Sequence, residues 1–370
     1  MPRLGDSPEW RLEREVNEAF SWNAAGLHWG ATTPMQLCVL NPGSPHAAQS
    51  FGDYAGKPDP GKHPPLGYHG LAACTGGSFH RSDETIPADQ QRVLLVLNRK
   101  LKLCRQAAIN LRRAGKTVVV AWEKAGASEL SAQLDSPGAL ALFREICTRA
   151  QAALAVTPDL EPVFRAGGMF HVETVPLPLP VEEPAWDLSV RPEERVGIWV
   201  GTWDWKDPSR RHLTTLLGLR DVASQMYEPV TVFNLDGWRG RRWLRQLGYP
   251  AGLLRVIERR IPYVEYLRKM ATHRMVFQLD AGGGAGGVAG DALVCRIPCV
   301  GGSGHLDRIL YPELTGQQQP AMELFYTVSR MLDHGHDREL AVEQALEAAR
   351  QKVSFERAQQ ALEQLFHYFG

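Results

Sequence analysis

The stretch YVEYLRKMATHRMVFQLDAGGGAGGVAGDALVCRIPCVGG, residues 263–302, decides the fold. A helical pattern over 263–273 precedes the apolar strand MVFQLD, and a glycine-rich turn then leads into a helix over 288–295 and the strand PCVGG. Consecutive glycines let a phosphate approach the backbone, and the free N–H groups at the start of the next helix favour negative charge. The stretch therefore predicts a β-α-β unit with a phosphate site at Gly282–Gly287; the alternative is a flexible surface loop.

The same alternation of buried strands and helices runs through most of the chain, as is typical of a parallel sheet covered on both faces. The segment from Asn41 to about Gly77 is rich in Gly, Pro and His, and we expect it to be a long loop or lid that walls a binding site. Expected strands are 35–40, 93–98, 117–122, 152–157, about 171–180, 195–202 and 229–237, and expected helices are 101–115, 136–150, 158–167, 209–226 with Ser209 as its cap, 321–333 and 338–369.

A Pro- and Glu-rich run divides this pattern into two halves. PLPLPVEEPAWDLSVRPEE, residues 176–194, has neither helical nor strand periodicity, which favours an extended connection. The predicted fold class is α/β, with two Rossmann-like β/α/β domains that face a cleft. We expect an amino-terminal domain over 1–180, a linker over 181–194, a carboxyl-terminal domain over 195–350 and a terminal helix over 351–370.

Composition indicates an ordinary globular protein. Lys+Arg and Asp+Glu are 41 each, so net charge suggests neither a surface that coats nucleic acid nor an acidic tail. The amino terminus lacks the pattern of a secretory signal, and no window reaches the roughly 18 apolar residues of a membrane span. We expect a cytoplasmic protein without an integral membrane segment, six free cysteines and no metal site.

The stretch that decides the fold resembles the donor-binding half of GT-B glycosyltransferases, in particular their large retaining group, family four. The matching residues are the strand MVFQLD, the turn Gly282–Gly287, Asp291-Ala292 and the strand that starts at Ile297. The resemblance implies that Asp291 holds the ribose hydroxyls of a nucleotide, where the family has Glu; the alternative is that Asp291 only complements the helix dipole. The family's other Glu is replaced by Gly283, so either Asp280 contacts the sugar or the protein belongs to a divergent branch with a different donor or a weakened activity.

A second motif, VGTWDWKDPSRR (200–211), is similar to the first strand of that donor domain and the turn after it. Thr202 stands where the family has Arg, so Lys206, Arg210 and Arg211 are expected to neutralise a leaving diphosphate without a metal ion. The alternative for these cations is a solvated basic face. The donor-binding residues implied are Gly201, Thr202, Trp203, Arg211, Asp280, Gly282, Gly283, Gly284, Gly286, Gly287 and Val288, and the catalytic residues implied are Lys206, Arg210, Asp291 and His80.

Acceptor-side residues are expected in the first half. Asn98, Arg99 and Glu123 follow predicted parallel strands at the edge where such sheets bind ligands. The resemblance also implies that the loop Gly76, Gly77 and Ser78, followed by His80, contacts a sugar or an acceptor, although an ordinary turn is the alternative. Trp203 and Trp205 follow a strand end and are candidates to stack on a ring. A terminal helix that crosses back to the first domain is likewise implied by the resemblance.

Together these features predict a glycosyltransferase that moves a sugar from a nucleoside-diphosphate sugar, such as a UDP or GDP sugar, to an unknown acceptor without a cofactor. A nucleic acid is one of the acceptors that the sequence leaves open. The alternatives are a catalytically inactive GT-B-like binding or adaptor protein, for which Gly283 and Thr202 argue, and a nucleotide-sugar epimerase of the same architecture.

Overall fold

The computed structural model describes residues 35–52, 56–124, 126–203, 205–317 and 319–369. The prediction about a secretory signal concerns the first residues and lies outside the described ones. In the described part, the strands are β1 Cys38–Leu40, β2 Gln49–Ser50, β3 Ser78–His80, β4 Arg92–Leu97, β5 Thr117–Trp122, β6 Ala152–Ala155, β7 Val172–Thr174, β8 Ile198–Val200, β9 Val230–Phe233, β10 Leu254–Ile257, β11 Met275–Phe277 and β12 Cys299–Val300.

The helices lie between these strands and after them. They are α1 Tyr68–Ala73, α2 Leu101–Arg113, α3 Ala127–Ser131, α4 Pro137–Cys147, α5 Glu161–Ala166, α6 His212–Met226, α7 Trp238–Gln246, α8 Tyr263–Ala271, α9 Gly287–Val294, α10 His305–Leu310, α11 Ala321–Asp333, α12 Gly335–Lys352 and α13 Phe355–His367.

The strands form two mainly parallel sheets, which confirms the predicted α/β class. One sheet has the order β2-β3-β1-β4-β5-β6-β7, and β2 alone pairs antiparallel to its neighbour. The other has the order β10-β9-β8-β11-β12, and its strand pairs are parallel. The central strands β4 and β5 are buried in all but their first residue, because helices cover both faces of each sheet. Functional side chains are therefore expected at the strand ends rather than on the sheet faces.

Three expectations about local structure are wrong. The segment 41–77 is not one long loop, since it contains β2 and the buried helix α1. The last helix is two helices, α12 and α13, because Ser354 caps a new helix by accepting the N–H of Arg357 at 3.3 Å. Ser209 does not cap α6, which begins only at His212. In the preceding turn, the Ser209 N–H donates to the Asp207 carboxylate at 2.9 Å.

The terminal helix α13 packs against α1 of the first half. The Leu179 N–H, just before the predicted linker, donates to the carbonyl of Val353 at 2.8 Å. The chain therefore returns to the first sheet after it has completed the second. The domain boundaries at 180 and 195 remain predictions. The six cysteines are buried and free.

Candidate active site in the cleft

A cavity of about 950 Å³ lies between the two halves of the molecule. The first half contributes residues 45–50 and 60–63, which belong to the segment predicted to wall a binding site. The second half contributes the end of β8, the segment 260–266 and α9. A smaller cavity of about 190 Å³ adjoins it and shares His46, His63, Tyr263 and Asp291 with it. Both halves thus supply side chains to one cleft.

The amino end of α9 forms part of the cavity wall. Gly287 lines the smaller cavity and Val288 the larger one. Gly286 caps the helix with φ 80°, and a Cβ there would lie 2.9 Å from the Leu306 N, so a side chain would be both strained and crowded. The first N–H groups of a helix have no partner in the helical ladder. The cleft therefore contains the positive end of a helix dipole.

The rest of the glycine-rich turn is held by hydrogen bonds rather than left open. The carbonyl of Gly284 accepts the His305 N–H at 2.8 Å, and the Gly283 N–H donates to Ser303 Oγ at 3.3 Å. The Gly282 N–H donates to the Asp280 carboxylate at 2.8 Å. Gly282, Gly283 and Gly284 shape this turn but do not line the cavity.

The cations singled out in the sequence lie elsewhere. Arg210 forms an ion pair with Asp280 and a second one, at 3.1 Å, with Glu129 of the first half. Lys206 is largely exposed, with its ammonium 3.9 Å from Asp236. Arg211 is exposed and caps α6 in the left-handed region. These three side chains do not line the cavity, so their predicted roles stay predictions.

Two other cations, Lys62 and Arg260, do line the cavity. Neither cation was predicted from the sequence, because Lys62 lies in a segment without periodicity and Arg260 follows a strand that was not predicted, β10. Their placement between the walls of the cleft brings positive charge from each half toward the same space.

The residues at the end of β8 divide into cavity and core positions. Gly201 and Trp203 line the cavity. A Cβ on Gly201 would lie 2.9 Å from the Val288 side chain, so this strand end closely approaches the start of α9. Thr202 is buried, with Oγ1 3.0 Å from His212 Nδ1. Trp205 stacks on Trp243 and therefore packs within its own half.

Asp291 is the carboxylate that both cavities share. Burial raises the pKa of Asp291 to about 7, and the hydrogen bond from the Tyr263 hydroxyl, at 2.6 Å, opposes that rise. The group therefore titrates near neutrality. Its position one turn into α9 is the one that the resemblance required for a ribose contact.

Three imidazoles of the first half form a column along the cleft. His63 stacks on His69 with ring centroids 3.7 Å apart, and His46 meets His63 edge-on at 4.6 Å. His63 Nδ1 lies 2.7 Å from the carbonyl of Pro64. A carbonyl oxygen only accepts, so Nδ1 carries the proton and Nε2 keeps its lone pair. Burial lowers the pKa of His63 to about 4, so the ring is neutral at pH 7.

Asn98 and Glu123 belong to a hydrogen-bonded chain at the ends of β4 and β5. Asn98 donates to Asn41 at 2.6 Å, and Asn41 donates to Glu123 at 2.9 Å. Asn41 and Glu123 line the smaller cavity, whereas Asn98 positions Asn41 from behind it. Arg99 is exposed and does not line either cavity.

The loop Gly76–Ser78 lies at the start of β3, whereas Asn41 and Glu123 follow strand ends of the same sheet. Because β1, β3, β4 and β5 are parallel, this loop is at the opposite edge of the sheet from the cleft. His80 is buried, and its two ring nitrogens lie 2.8 Å from Thr85 Oγ1 and 2.9 Å from Ser78 Oγ. The structure gives these residues local packing partners and does not bring them to the cavity.

Gly77→Ala is expected to destabilise the protein by about 3 kcal/mol. A Cβ at Gly77 would lie 2.0 Å from the Leu37 carbonyl oxygen, which is backbone and cannot rotate away. The matched control is Gly138→Ala in α4, where nothing lies within 4 Å of the added Cβ. Urea unfolding monitored by circular dichroism measures both. Unchanged stability of Gly77→Ala with lost ligand binding would instead support the acceptor-loop role.

Among the residues that the structure describes, no group of three or more His, Cys, Asp or Glu side chains is arranged to hold a metal ion. The same residues include no helix long and apolar enough to cross a membrane.

Comparisons with known proteins identify the architecture. No protein-family model matches the chain, and no curated protein sequence matches it. Solved structures do match. One is apo OtsA, with 12% identity, a TM-score of 0.58, and coverage of 89% of this chain and 99% of that one. Another is a UDP-forming trehalose-phosphate synthase from Burkholderia xenovorans, with 10% identity, a TM-score of 0.56 and coverage of 77% and 75%.

The chain has the GT-B fold. A third match, the pneumococcal O-GlcNAc transferase GtfA in complex with UDP and GlcNAc, has 8% identity, a TM-score of 0.52 and coverage of 75% of this chain and 57% of that one. At such identities the likeness shows the fold and not the activity. The two sheets correspond to the two halves of the GT-B fold, and the cavity between them corresponds to its cleft.

Proposed function

We propose that the protein is a glycosyltransferase that moves a sugar from a nucleoside-diphosphate sugar to an acceptor hydroxyl in this cleft. One observation carries the proposal. The larger cavity joins Val288, at the amino end of α9, and the strand end at Gly201 to the wall of the opposite half that contains His46 and His63. An anionic donor and a neutral hydroxyl acceptor fit these two walls.

The donor diphosphate is assigned to the wall formed by Gly201, Gly287 and Val288. The unpaired N–H groups at the start of α9 suit phosphate oxygens. Lys62 and Arg260 line the same cavity as Gly201 and Val288 and stabilise the charge that develops on the departing diphosphate. Because fixed cations can supply this stabilisation and the sequence lacks an Asp-x-Asp motif, we propose transfer without a metal ion or another cofactor.

Asp291 is assigned to the ribose of the donor. Its carboxylate already accepts the Tyr263 hydroxyl and faces both cavities. A ribose diol provides two further donors for the same oxygens. Because burial raises its pKa to about 7, donor binding through the ionised carboxylate is expected to strengthen as the pH rises through neutrality.

His63 is assigned to the acceptor. In the transfer, the bond from the anomeric carbon to the diphosphate oxygen breaks and a bond to the acceptor oxygen forms. His63 Nε2 accepts the hydrogen bond of the acceptor hydroxyl and orients that oxygen. Because the pKa of His63 is lowered to about 4, the imidazole holds a proton poorly, and the hydroxyl proton leaves with the diphosphate.

Binding of a UDP sugar is the first property to measure, because one structural neighbour is bound to UDP-2-fluoro glucose and another is in complex with UDP and GlcNAc. At 100 times its dissociation constant, a ligand of the folded state stabilises it by about 2.7 kcal/mol, which corresponds to a rise in Tm of about 3–6 °C. UDP-glucose, GDP-mannose and ADP-glucose are compared by thermal shift. A selective rise that Asp291→Ala abolishes is the expected result, and no rise with any nucleotide contradicts the proposal.

Lys206→Ala is the matched variant in that measurement. If Lys206→Ala abolishes the rise in Tm, Lys206 neutralises the diphosphate, as predicted from the sequence. If the rise in Tm is kept, the result supports Lys62 and Arg260 as the side chains that neutralise the diphosphate. Product analysis then separates the activities. Release of the nucleotide with transfer or hydrolysis of the sugar supports the transferase, conversion of the donor sugar alone supports an epimerase, and binding without turnover supports an inactive binding protein.

A further inference from the structure

The segment from Asp236 to Arg260 is the most basic part of the second half. It contains seven arginines and no lysine against two acidic residues, a net charge of +5 in a chain whose total is zero. Both acidic residues are paired, since Glu258 lies 2.6 Å from Arg241 and Asp236 lies 3.9 Å from Lys206. The segment comprises α7, β10 and the turn after β10, and we refer to it as the arginine surface.

The arginine surface also exposes large apolar side chains. Its seven arginines are exposed, and so are Trp238 (67%) and Trp243 (49%) on α7. The edge strand β10 adds Val256, which is 36% exposed. Between α7 and β10 lies a groove of about 390 Å³ with Leu244, Tyr249 and Leu254 in its lining. Exposed arginines and indoles thus occur together on α7, beside a groove lined by both apolar and charged side chains.

The topology places this surface at the rim of the cleft. Strands β9 and β10 are parallel, so the residues that follow them lie at the same edge of the sheet. Trp238 begins α7 shortly after β9, and Arg259 and Arg260 follow β10. Arg260 also lines the cleft cavity. The amino end of α7 and the turn after β10 therefore lie at the rim of the cleft, and Arg260 joins the arginine surface to the cavity.

We propose that the arginine surface binds the anionic phospholipid face of a membrane and so presents the mouth of the cleft to that membrane. Arginines pair with lipid phosphates, and exposed indoles favour the boundary between headgroups and acyl chains. This combination favours a bilayer over a nucleic-acid duplex, whose phosphate backbone offers no apolar layer to Trp238 or Val256. Peripheral binding of this kind needs no membrane-spanning helix.

Vesicle co-sedimentation of the full chain tests the proposal. Vesicles of phosphatidylcholine with 30% phosphatidylglycerol, about a third anionic, are compared with pure phosphatidylcholine vesicles. Binding to the anionic vesicles alone, weakened at high salt, is the expected result. Each arginine near an anionic surface contributes about fivefold in affinity, so Arg239→Gln combined with Arg242→Gln is expected to weaken binding by about 25-fold.

The matched control is Arg112→Gln combined with Arg113→Gln, which removes the same charge from exposed positions on α2 of the first half. It is expected to leave vesicle binding unchanged. An equal loss in both double variants overturns the proposal, because net charge alone then explains the binding. Absence of vesicle binding also overturns it, as does tighter binding to a DNA or RNA oligonucleotide than to the vesicles.

Tryptophan fluorescence adds a measurement that electrostatic attraction alone does not change, because it reports whether an indole inserts into the bilayer. Vesicles with brominated acyl chains quench an indole that reaches the interface, and Trp238→Phe is expected to remove most of this quenching. The nucleotide thermal shift is measured on the same variants. If a variant keeps the nucleotide-induced rise in Tm, its second half is folded. If the parent protein shows no such rise, the proposed glycosyltransferase function is contradicted, but the proposal of membrane binding is not affected.

Discussion

His63→Asn is expected to lower kcat/KM for sugar transfer by about 100-fold, while Tm changes by only a few degrees. The asparagine amide keeps a donor for the Pro64 carbonyl, so the local backbone contact is retained. What is lost is the Nε2 lone pair, to which we assigned the orientation of the acceptor hydroxyl. Transfer kinetics and donor hydrolysis are measured together, because hydrolysis does not require the acceptor to be oriented and is expected to fall less.

His69→Phe is the matched control for that substitution. His69 is buried between His63 and Phe79, with stacking distances of 3.7 and 3.8 Å, and its Nε2 has no hydrogen-bond partner among the described residues. Removing a buried, unpaired polar atom is expected to stabilise the protein by about 1–3 kcal/mol and to leave kcat/KM within about threefold. If His63→Asn retained full transfer activity, the assignment of the acceptor to this wall would be wrong.

Asp307→Asn is expected to stabilise the protein increasingly as the pH rises from about 4 to about 7. Burial raises the pKa of Asp307 to about 7, and the charge of Asp280 adds to that rise. In this range the unfolded chain gains free energy by ionising the carboxyl, while the folded state keeps it protonated. The parent therefore loses stability with rising pH, by at most about 4 kcal/mol from this group, and asparagine does not titrate.

Urea unfolding of parent and variant at pH 4, 6 and 8 measures this difference. The asparagine oxygen can still accept the Gly304 N–H that caps α10 at 3.0 Å, so the helix start is preserved. Asp333→Asn, at an exposed position in the last turn of α11, is the control for the change from Asp to Asn itself. A difference between Asp307→Asn and the parent that stays constant with pH would mean that Asp307 is already ionised in the folded protein.

Local patterns determined the architecture of this protein. The apolar runs 93–98 and 117–122 are buried strands, and the glycine turn at 282–287 precedes a helix, as predicted. Such features can be read from the chain because periodicity and glycine conformations depend on neighbouring residues only. Helix α7 and strand β10 were not predicted, since WRGRRWLRQ is polar on most of its surface and LRVI is short and half exposed.

Only the tertiary structure decided which side chains meet in the cleft. Arg210 followed a predicted strand end, yet Glu129, 81 residues away, and Asp280 hold its guanidinium outside the cavity. His63 lay in a segment without periodicity, yet burial lowers the pKa of its imidazole, and the carbonyl of Pro64 accepts the Nδ1 proton, so the ring in the cleft wall is neutral and Nε2 keeps its lone pair. The sequence specifies such groups, but their partners are distant in the chain, and the charge and protonation of a side chain depend on partners that only folding brings within a few ångströms.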